Sequence, residues 1–409
     1  MTLAARITAQ AGSRLRYRWD NTDSAILDGV QRLTAPALAH RAMAQTATLT
    51  TGSGALTIAY VGIGTGLRTI LPLAEQLTPG RTGRTTRSEV GHGSVRALCA
   101  RAAHTADIVI VGGPYTSLDQ SGLDAPSIDA PFRVHLVRHL PPDGDRLLAQ
   151  VSRREREAFR KSVREHGFVG ETTQDARRMR EFYETMHLPT MRRRHGAHAL
   201  TETLAVAERE LLARGFLFLV RSGDHDVAGA LCTYDRSRST ATTRLLGVPG
   251  GEQRHYDSGA FKALYHLLSD WCRRQGVSRL DLFATQAWTA KGLFQWKRRL
   301  HPQVVLPPNR YKAQRIRIHV LRDRDIVRDF LVGAPLLTLD EHGPLMATWF
   351  SDSRRPCRAD VKVGLPGVAA ERVVDLDDLL HTHAAGTRSG PGPVTARHRP
   401  MSAEATTER

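Results

Sequence analysis

Lysine is nearly absent from this chain. Lys161, Lys262, Lys291, Lys297, Lys312 and Lys362 are the only six among 58 basic side chains, and the remainder are arginine. Cysteine is scarce as well. Cys99, Cys232, Cys272 and Cys357 are scattered with no CxxC pair, which argues against a zinc site and against a disulfide framework. No apolar run approaches the ~18 residues of a membrane span. The opening MTLAARITAQAGSRLRYRW lacks the continuous apolar core of a signal peptide, so the expected location is the cytoplasm. Neither a GxGxxG nor a Walker lysine motif is present, and no metal-ligand spacing stands out.

What is present is a chain of 409 residues, 41% hydrophobic and 24% charged. That is the profile of a soluble globular protein with two or three domains. The net charge of +17 attracts polyanions such as nucleic acid, a phosphorylated cofactor or an anionic surface. The arginine bias, with abundant Ala, Gly, Thr and Val, is also what a GC-rich coding sequence produces. Both readings of the charge stay open.

Periodicity organises the chain around residues 259–300. GAFKALYHLLSDWCRRQG spaces Phe261, Leu264, Leu267, Leu268 and Trp271 along one helical face, and Gly276 closes the helix. Arg279 to Ala284 then alternates as a strand. A second helix, entered near Ala290, carries Trp296, Lys297, Arg298 and Arg299. Upstream, LTIAYV (56–61) reads as a strand running into Gly62-Ile-Gly64-Thr-Gly66 and a helix. The glycine turn fits a tight connection better than a phosphate cradle, given its GxGxG spacing. DIVIV (107–111) is a further strand, 119–131 a polar linker, and 132–140 a strand. Residues 147–166 read as one basic helix with Leu148, Val151, Phe159 and Val163 buried. Residues 189–196 read as a basic loop, 23–47 as weakly helical, 330–383 as short strands and turns, and the Gly/Pro/Ser-rich end from Ala384 as disordered.

From Phe168 to Leu321 the expected order is β, α, α, β, β, β, α, β, α, β. EAFRKSVREHGFVGETT with MREFYETMHLPTMRRRHG, then GAFKALYHLLSDWCRRQGVSRLDLFA, then GLFQWKRRLHPQVVLPPNRYK resemble, in succession, the Fem-like aminoacyl-tRNA-dependent transferases and the FemAB/BioF2-like acyltransferases of the GNAT superfamily. The resemblance covers about residues 132–321. It implies an α/β fold with a mixed sheet, a GNAT-like domain at 132–330 and a diverged tandem copy at 1–131, followed by a β-rich extension at 331–383 and a tail at 384–409. The family's pyrophosphate loop, Q/R-x-x-G-x-G/A, is represented by Gln253-Arg-His-Tyr-Asp-Ser-Gly259-Ala260. Only one glycine is in place, which favours a donor other than CoA.

Acyl transfer needs an unprotonated acceptor, a stabilised oxyanion and a protonated leaving group. The resemblance places Lys297 on the family lysine, as the oxyanion's cation. Asp281 is the candidate to orient the acceptor amine or take its proton, with a structural carboxylate paired to an arginine as the alternative. Arg254, His255, Tyr256 and Ser258 precede a helix start suited to a phosphate or carboxylate, and Ser258 equally suits an N-cap. Trp288 and Trp296 are candidates to wall the acyl pocket or stack a terminal adenine. Arg192, Arg193, Arg194, Arg298, Arg299 and Lys161 are candidates for tRNA contact.

The resulting expectation is an aminoacyltransferase without a bound cofactor or metal. Its co-substrate is aminoacyl-tRNA and its acceptor a peptide, cell-wall precursor or small metabolite, with no DNA partner. An acyl-CoA or carrier-protein donor is the first alternative, and a non-catalytic RNA-binding protein of the same fold the second.

Overall fold

A computed structural model describes residues 3–22, 29–30, 41–196, 199, 201–339 and 343–384. Its strands, in chain order, are β1 (Ala42–Thr51), β2 (Gly54–Gly62), β3 (Thr86–Arg87), β4 (Gly91–Gly93), β5 (Ile108–Pro114), β6 (Ser127–Pro131), β7 (Val134–His139), β8 (Val169–Thr173) and β9 (Gly215–Ser222). They continue with β10 (His225–Asp235), β11 (Thr240–Gly247), β12 (Arg279–Thr285), β13 (Gln303–Val305), β14 (Gln314–Val320), β15 (Leu336–Leu339), β16 (Leu345–Ser351) and β17 (Val368–Asp375). The helices used below are α1 (Leu3–Asn21), α2 (Arg153–His166), α3 (Ala260–Arg274) and α4 (Gly292–Arg298).

The chain divides into two compact units. One combines Met1–Thr22, His135–Ala284 and Arg299–Gln303; the other combines Asp23–Val134, Thr285–Arg298 and Val304–Arg409. The expected boundaries at 131/132 and 330/331 are therefore crossed in both directions. The cause is visible in the sheets: β14 pairs antiparallel with both β5 and β6, so a strand expected in the central domain completes a sheet begun by the N-terminal strands.

The first unit has a sheet in the order β13-β7-β12-β11-β10-β9-β8. β13 enters it through Gln303, whose Oε1 meets His139 Nε2 at 2.7 Å. β8 to β11 form an antiparallel meander, whereas β11 and β12 are parallel and joined by the crossover helix α3. This is the β, α, α, β, β, β, α, β succession expected from the sequence. Leucines alternate across β9. Leu217 and Leu219 pack on one face with Phe182, Met186, Leu211 and Tyr17, while Phe216 and Phe218 meet Trp271 of α3 on the other, 4.6 and 6.3 Å between ring centres. Helices thus cover both faces.

Several local expectations change. Residues 3–21, unassigned from sequence, form α1, held to the first unit by Arg14 and Arg18 on the fully buried Glu210, each at 2.9 Å. The basic helix is interrupted: Gly144–Ala149 ends, and Ser152 caps α2 by accepting from Glu155 N. Of the positions expected to be buried, Val151 is, at 2% exposure, whereas Leu148, Phe159 and Val163 are half-buried, and the buried residue of α2 itself is Glu155. The 189–196 segment is helical, within Leu188–His195, and continues the helical run from Ala176 through a widened turn at Tyr183–His187, where Leu188 N donates to Tyr183 O; such a turn accommodates Pro189, which has no N–H to give. The 119–131 linker contains β6, and 42–47 lie in β1, where threonines and alternation outweigh weak helical patterning. The remainder of 23–47, apart from 29–30 and 41, and the tail beyond 384 lie outside the described residues.

In the second unit the order is β3-β1-β2-β5-β14-β6, with β4 on β1, and a separate sheet β15-β16-β17. Helices Asp325–Gly333 and Leu376–Ala384 accompany the latter, more helix than expected of residues 330–383. The glycine turn after β2 is a close-packing device. A Cβ on Gly62 would lie 1.8 Å from Gly112 O, and one on Gly66 would lie 2.0 Å from the Tyr60 ring. Tyr60 Oη donates to Ile63 O at 2.9 Å, so the turn wraps this buried phenol.

Candidate active site

β11 and β12 pair only through Thr240–Arg279, Ala241–Leu280 and Thr242–Asp281. β11 continues to Gly247 and β12 to Thr285, so the two strands part immediately after Asp281. Parting parallel strands leave edge N–H and C=O groups available to a ligand near the strands' carboxyl ends. β11 is also bulged there. Leu231 opposes Leu245 while Cys232 opposes Thr243, leaving Arg244 as the extra residue. Bulges of this kind re-aim a side chain and recur beside active sites.

At the fork Asp281, 4% exposed, pairs with a histidine and not with the expected arginine. His135 Nδ1 lies 2.6 Å from Asp281 Oδ2. A carboxylate can only accept, so Nδ1 carries the proton and Nε2 presents its lone pair. Nε2 is buried and, among the described residues, has no hydrogen-bond partner. Phe283 N donates to Asp281 Oδ1 at 2.8 Å, which fixes the carboxylate. Phe283 itself adopts φ 67°, a left-handed conformation that costs a bulky residue on the order of 1–3 kcal/mol and tends to persist at functional sites. Its ring stands edge-on to His135 at 5.4 Å, and the Arg244 guanidinium lies 4.2 Å from its centre. Arg244 donates to Asn21 Oδ1 of α1 at 2.9 Å and to Glu202 Oε1 at 3.3 Å, so α1 helps build this corner. Sequence reasoning missed His135 and Arg244. His135 sits in a run that reads as an ordinary strand, and its partner is 146 residues away, with no local spacing to connect them.

The remaining expected site residues fall in both units. Lys297, on the last turn of α4, is 3% exposed in the second unit, so it is no surface lysine of a basic helix. Trp288 is fully buried in that unit and packs there, out of reach of a nucleobase. Trp296 is half-buried. Arg298 donates to Gln295 Oε1 at 3.2 Å, and Arg299 is exposed in the first unit. Lys161 faces Glu165 at 3.7 Å on the surface of α2.

The segment Gln253–Ala260 is a closed turn. Arg254–Asp257 forms one helical turn, and Arg254, largely exposed, pairs with Glu252 at 2.7 Å. The amides of residues 255 to 259 all donate to backbone carbonyls within 252–256, and Ala260 N donates to Ser258 Oγ at 3.4 Å. The N–H groups expected to receive an anion are consumed. Gly259, not Ser258, occupies the cap of α3, at φ 83°. Burial lowers the His255 pKa, and Arg254 beside it adds to the effect. Two expected residues do meet: Arg194 lies 3.8 Å over the Tyr256 ring, and Tyr256 lies 5.0 Å from Phe261. Arg192, Arg193 and Arg194 are exposed. A guanidinium stacked on an aromatic, beside further arginines, suits single-stranded nucleic acid.

Lys291 differs from the other lysines. Burial lowers its pKa to about 8, and its Nζ donates to Gln286 Oε1. Amine-directed labelling followed by peptide mass spectrometry should therefore modify Lys291 with a midpoint near pH 8, below the ~10.4 of an ordinary lysine. A midpoint near 10 would mean that the amine is well hydrated.

No family model matches this chain, and no curated protein matches it. Solved structures do. The chain is similar to L-PGS from Bacillus licheniformis at 10% identity, over 70% of this chain and 87% of that one, with a TM-score of 0.33. FemX matches at 13% identity over 64% and 80%, with a TM-score of 0.35. A GCN5-related N-acetyltransferase from Sphaerobacter thermophilus matches at 16% identity over 68% and 77%, with a TM-score of 0.30.

Proposed function

We propose that this protein is an acyltransferase that moves an aminoacyl group from aminoacyl-tRNA to the amine or hydroxyl of a small-molecule or peptide acceptor. The fork between β11 and β12, with the His135–Asp281 pair at its base, carries the reading. An acceptor amine attacks the ester carbonyl; a C–N bond forms and the C–O bond to the ribose breaks. The amine's proton passes to His135 Nε2 and then to the departing ribose oxygen, while Asp281 holds the ring and stabilises the imidazolium. Backbone N–H groups on the unpaired edge of β11 are the proposed oxyanion donors.

The choice of donor is supported by the closed Gln253–Ala260 turn, whose amides have none to spare for a pyrophosphate, and by the exposed Arg192–Arg194 run beside the Arg194–Tyr256 stack. Titration with aminoacylated tRNA, deacylated tRNA and acetyl-CoA at several salt concentrations tests it. The expected result is micromolar or tighter binding of tRNA, weakened ~10-fold or more by a fourfold rise in salt, and weak binding of CoA. Saturable CoA binding with only diffuse tRNA binding would overturn the donor assignment in favour of an acyl-CoA or carrier-protein donor. Firm tRNA binding with no deacylation in the presence of candidate acceptors would favour a non-catalytic RNA-binding protein.

Among the described residues no helix is long and apolar enough to cross a membrane.

A further inference from the structure

His187 is the last residue of the widened turn Tyr183–His187 and is 3% exposed. Turns of this kind recur at functional sites. Gly247 lets the turn lie directly on β11: a Cβ there would come within 2.6 Å of Met186 C and 2.7 Å of His187 N. The imidazole is thereby set against the part of β11 beyond its last pair with β12, Thr242–Asp281. His187 Nδ1 meets Leu246 O there at 2.8 Å. A carbonyl can only accept, so Nδ1 carries the proton and Nε2 the lone pair. Burial lowers the His187 pKa, which keeps the ring neutral and that lone pair in place at neutral pH.

Nε2 faces Thr201 Oγ1, its hydrogen-bond partner. Because Nε2 can only accept, the hydroxyl donates. The other acceptor in reach, Glu202 O, is farther off at 3.3 Å, so the proton lies towards the imidazole. Thr201 is exposed and His187 is not. A reactant that reaches the hydroxyl from solvent therefore finds a base already behind it. Thr201 lies outside helix and strand, yet the two residues after it are fixed. Tyr183 Oη donates to Glu202 O at 2.7 Å, Arg244 donates to Glu202 Oε1 at 3.3 Å, and Thr203 accepts from Val206 N at 3.3 Å. The rings of Phe182 and Tyr183, centred 6.3 and 5.7 Å from the imidazole, wall the base.

A hydroxyl that donates to a buried imidazole, itself oriented by a third group, is the arrangement of an activated nucleophile. The third group here is the Leu246 carbonyl. It carries no full charge to stabilise an imidazolium, so the pair suits an activated carbonyl such as an ester rather than an amide.

We propose that Thr201 and His187 form a nucleophile–base pair that takes acyl groups from small carboxylic esters and releases them to water. Thr201 Oγ1 attacks the ester carbonyl; the Oγ1–C bond forms and the C–O bond to the alcohol breaks. The hydroxyl proton passes to His187 Nε2 and on to the departing oxygen. Water then attacks the acyl-threonine, its proton returns through Nε2 to Oγ1, and the free acid leaves. The reaction needs neither tRNA nor the His135–Asp281 pair.

Treatment of the full chain with p-nitrophenyl acetate, followed by absorbance and, after acid quench, by peptide mass spectrometry, tests this. The expected result is a burst of p-nitrophenolate stoichiometric with the protein and an acetyl group on Thr201. Thr201→Val, at an exposed position, should abolish both, and Thr201→Ser should keep both. His187→Gln, which can still donate to Leu246 O, should slow acylation by about 10²- to 10⁴-fold. His187 lies in the core, so the two Thr201 variants decide the matter if that protein does not fold. Acetylation of lysines alone, no adduct at all, or an undiminished burst in Thr201→Val overturns the proposal. A Thr201 adduct formed at the parental rate in His187→Gln overturns the assignment of the base.

Discussion

His135→Ala is expected to lower the rate of aminoacyl transfer by roughly 10²- to 10⁴-fold, the usual worth of a positioned general base. Asp281→Asn should have a comparable effect for a different reason. With an amide in place of the carboxylate, the imidazole loses both the acceptor that holds its proton on Nδ1, now 2.6 Å away, and the charge that stabilises the imidazolium. The tRNA affinity of both variants should stay within about twofold of the parent, because neither residue reaches the surface, at 3% and 5% side-chain exposure. A conservative variant separates a chemical role from a structural one. His135→Asn, which can still donate to Asp281 but offers no base, should be as slow as His135→Ala, whereas a merely structural role predicts recovery. Transfer at the parental rate by His135→Ala would falsify the assignment of the base.

The second large effect concerns stability. Arg328, 11% exposed at its side chain, holds three carboxylates in the second unit: Asp323 through Nε at 2.6 Å, and Asp352 and Asp377 through Nη1 at 3.2 and 2.5 Å. Asp352, whose side chain is 1% exposed, keeps the Arg355 guanidinium at 2.8 Å and the amides of Arg354 and Arg355 once Arg328 is gone. Stranding a buried carboxylate in this way typically costs 3–5 kcal/mol, and the surviving Arg355 places Arg328→Ala near about 3 kcal/mol. Amide exchange in β16, which ends beside Asp352, should accelerate together with a fall in the thermal midpoint. Asp352→Asn in the Arg328→Ala background should recover part of the loss, since the stranded charge is then removed. Burial raises the Asp352 pKa, but hydrogen bonds from the Arg354 and Arg355 amides and from the two guanidiniums outweigh it and bring the value to about 2, against an ordinary 3.8. A depressed carboxylate pKa stabilises the fold above the unfolded value and loses that contribution as pH falls through the folded one. The parent should therefore lose stability between about pH 4 and pH 2, and Arg328→Ala should lose less of it across that window. An unchanged thermal midpoint in Arg328→Ala would show that the network is a solvated surface cluster.

Where local pattern decides, reading from sequence succeeds. α3 forms because Leu264, Leu268 and their neighbours make an apolar face, and Gly276 follows it at φ 74°, the conformation only glycine adopts cheaply. The β9–β10 hairpin, β11 and β12 follow from alternation bounded by turn residues. The glycine turn after β2 is a packing turn, and its wrapping around Tyr60 supplies the reason the spacing alone could not. Failures fall where a second segment, remote in sequence, sets the outcome. α1 is stabilised by Glu210, about 190 positions away, and no property of residues 3–21 announces that contact. The interruption before α2 turns on Ser152, a cap whose use depends on what the preceding turn packs against. The anion site expected at Arg254–Ser258 is absent because the segment spends its amides on its own carbonyls, an accounting that spacing does not reveal.

Composition, periodicity and glycine placement were enough to establish an α/β chain, the succession of elements from β8 to β12, and a strand carrying Asp281 where chemistry was expected. These are properties of neighbouring residues, governed by backbone sterics and by which face of a helix or strand is apolar. Tertiary structure alone decided that β14 joins the N-terminal strands, that Lys297 is buried, and that His135 is the partner of Asp281. Those outcomes depend on contacts between residues more than a hundred positions apart, and on the competition of every buried polar group for a partner, which only the assembled fold resolves.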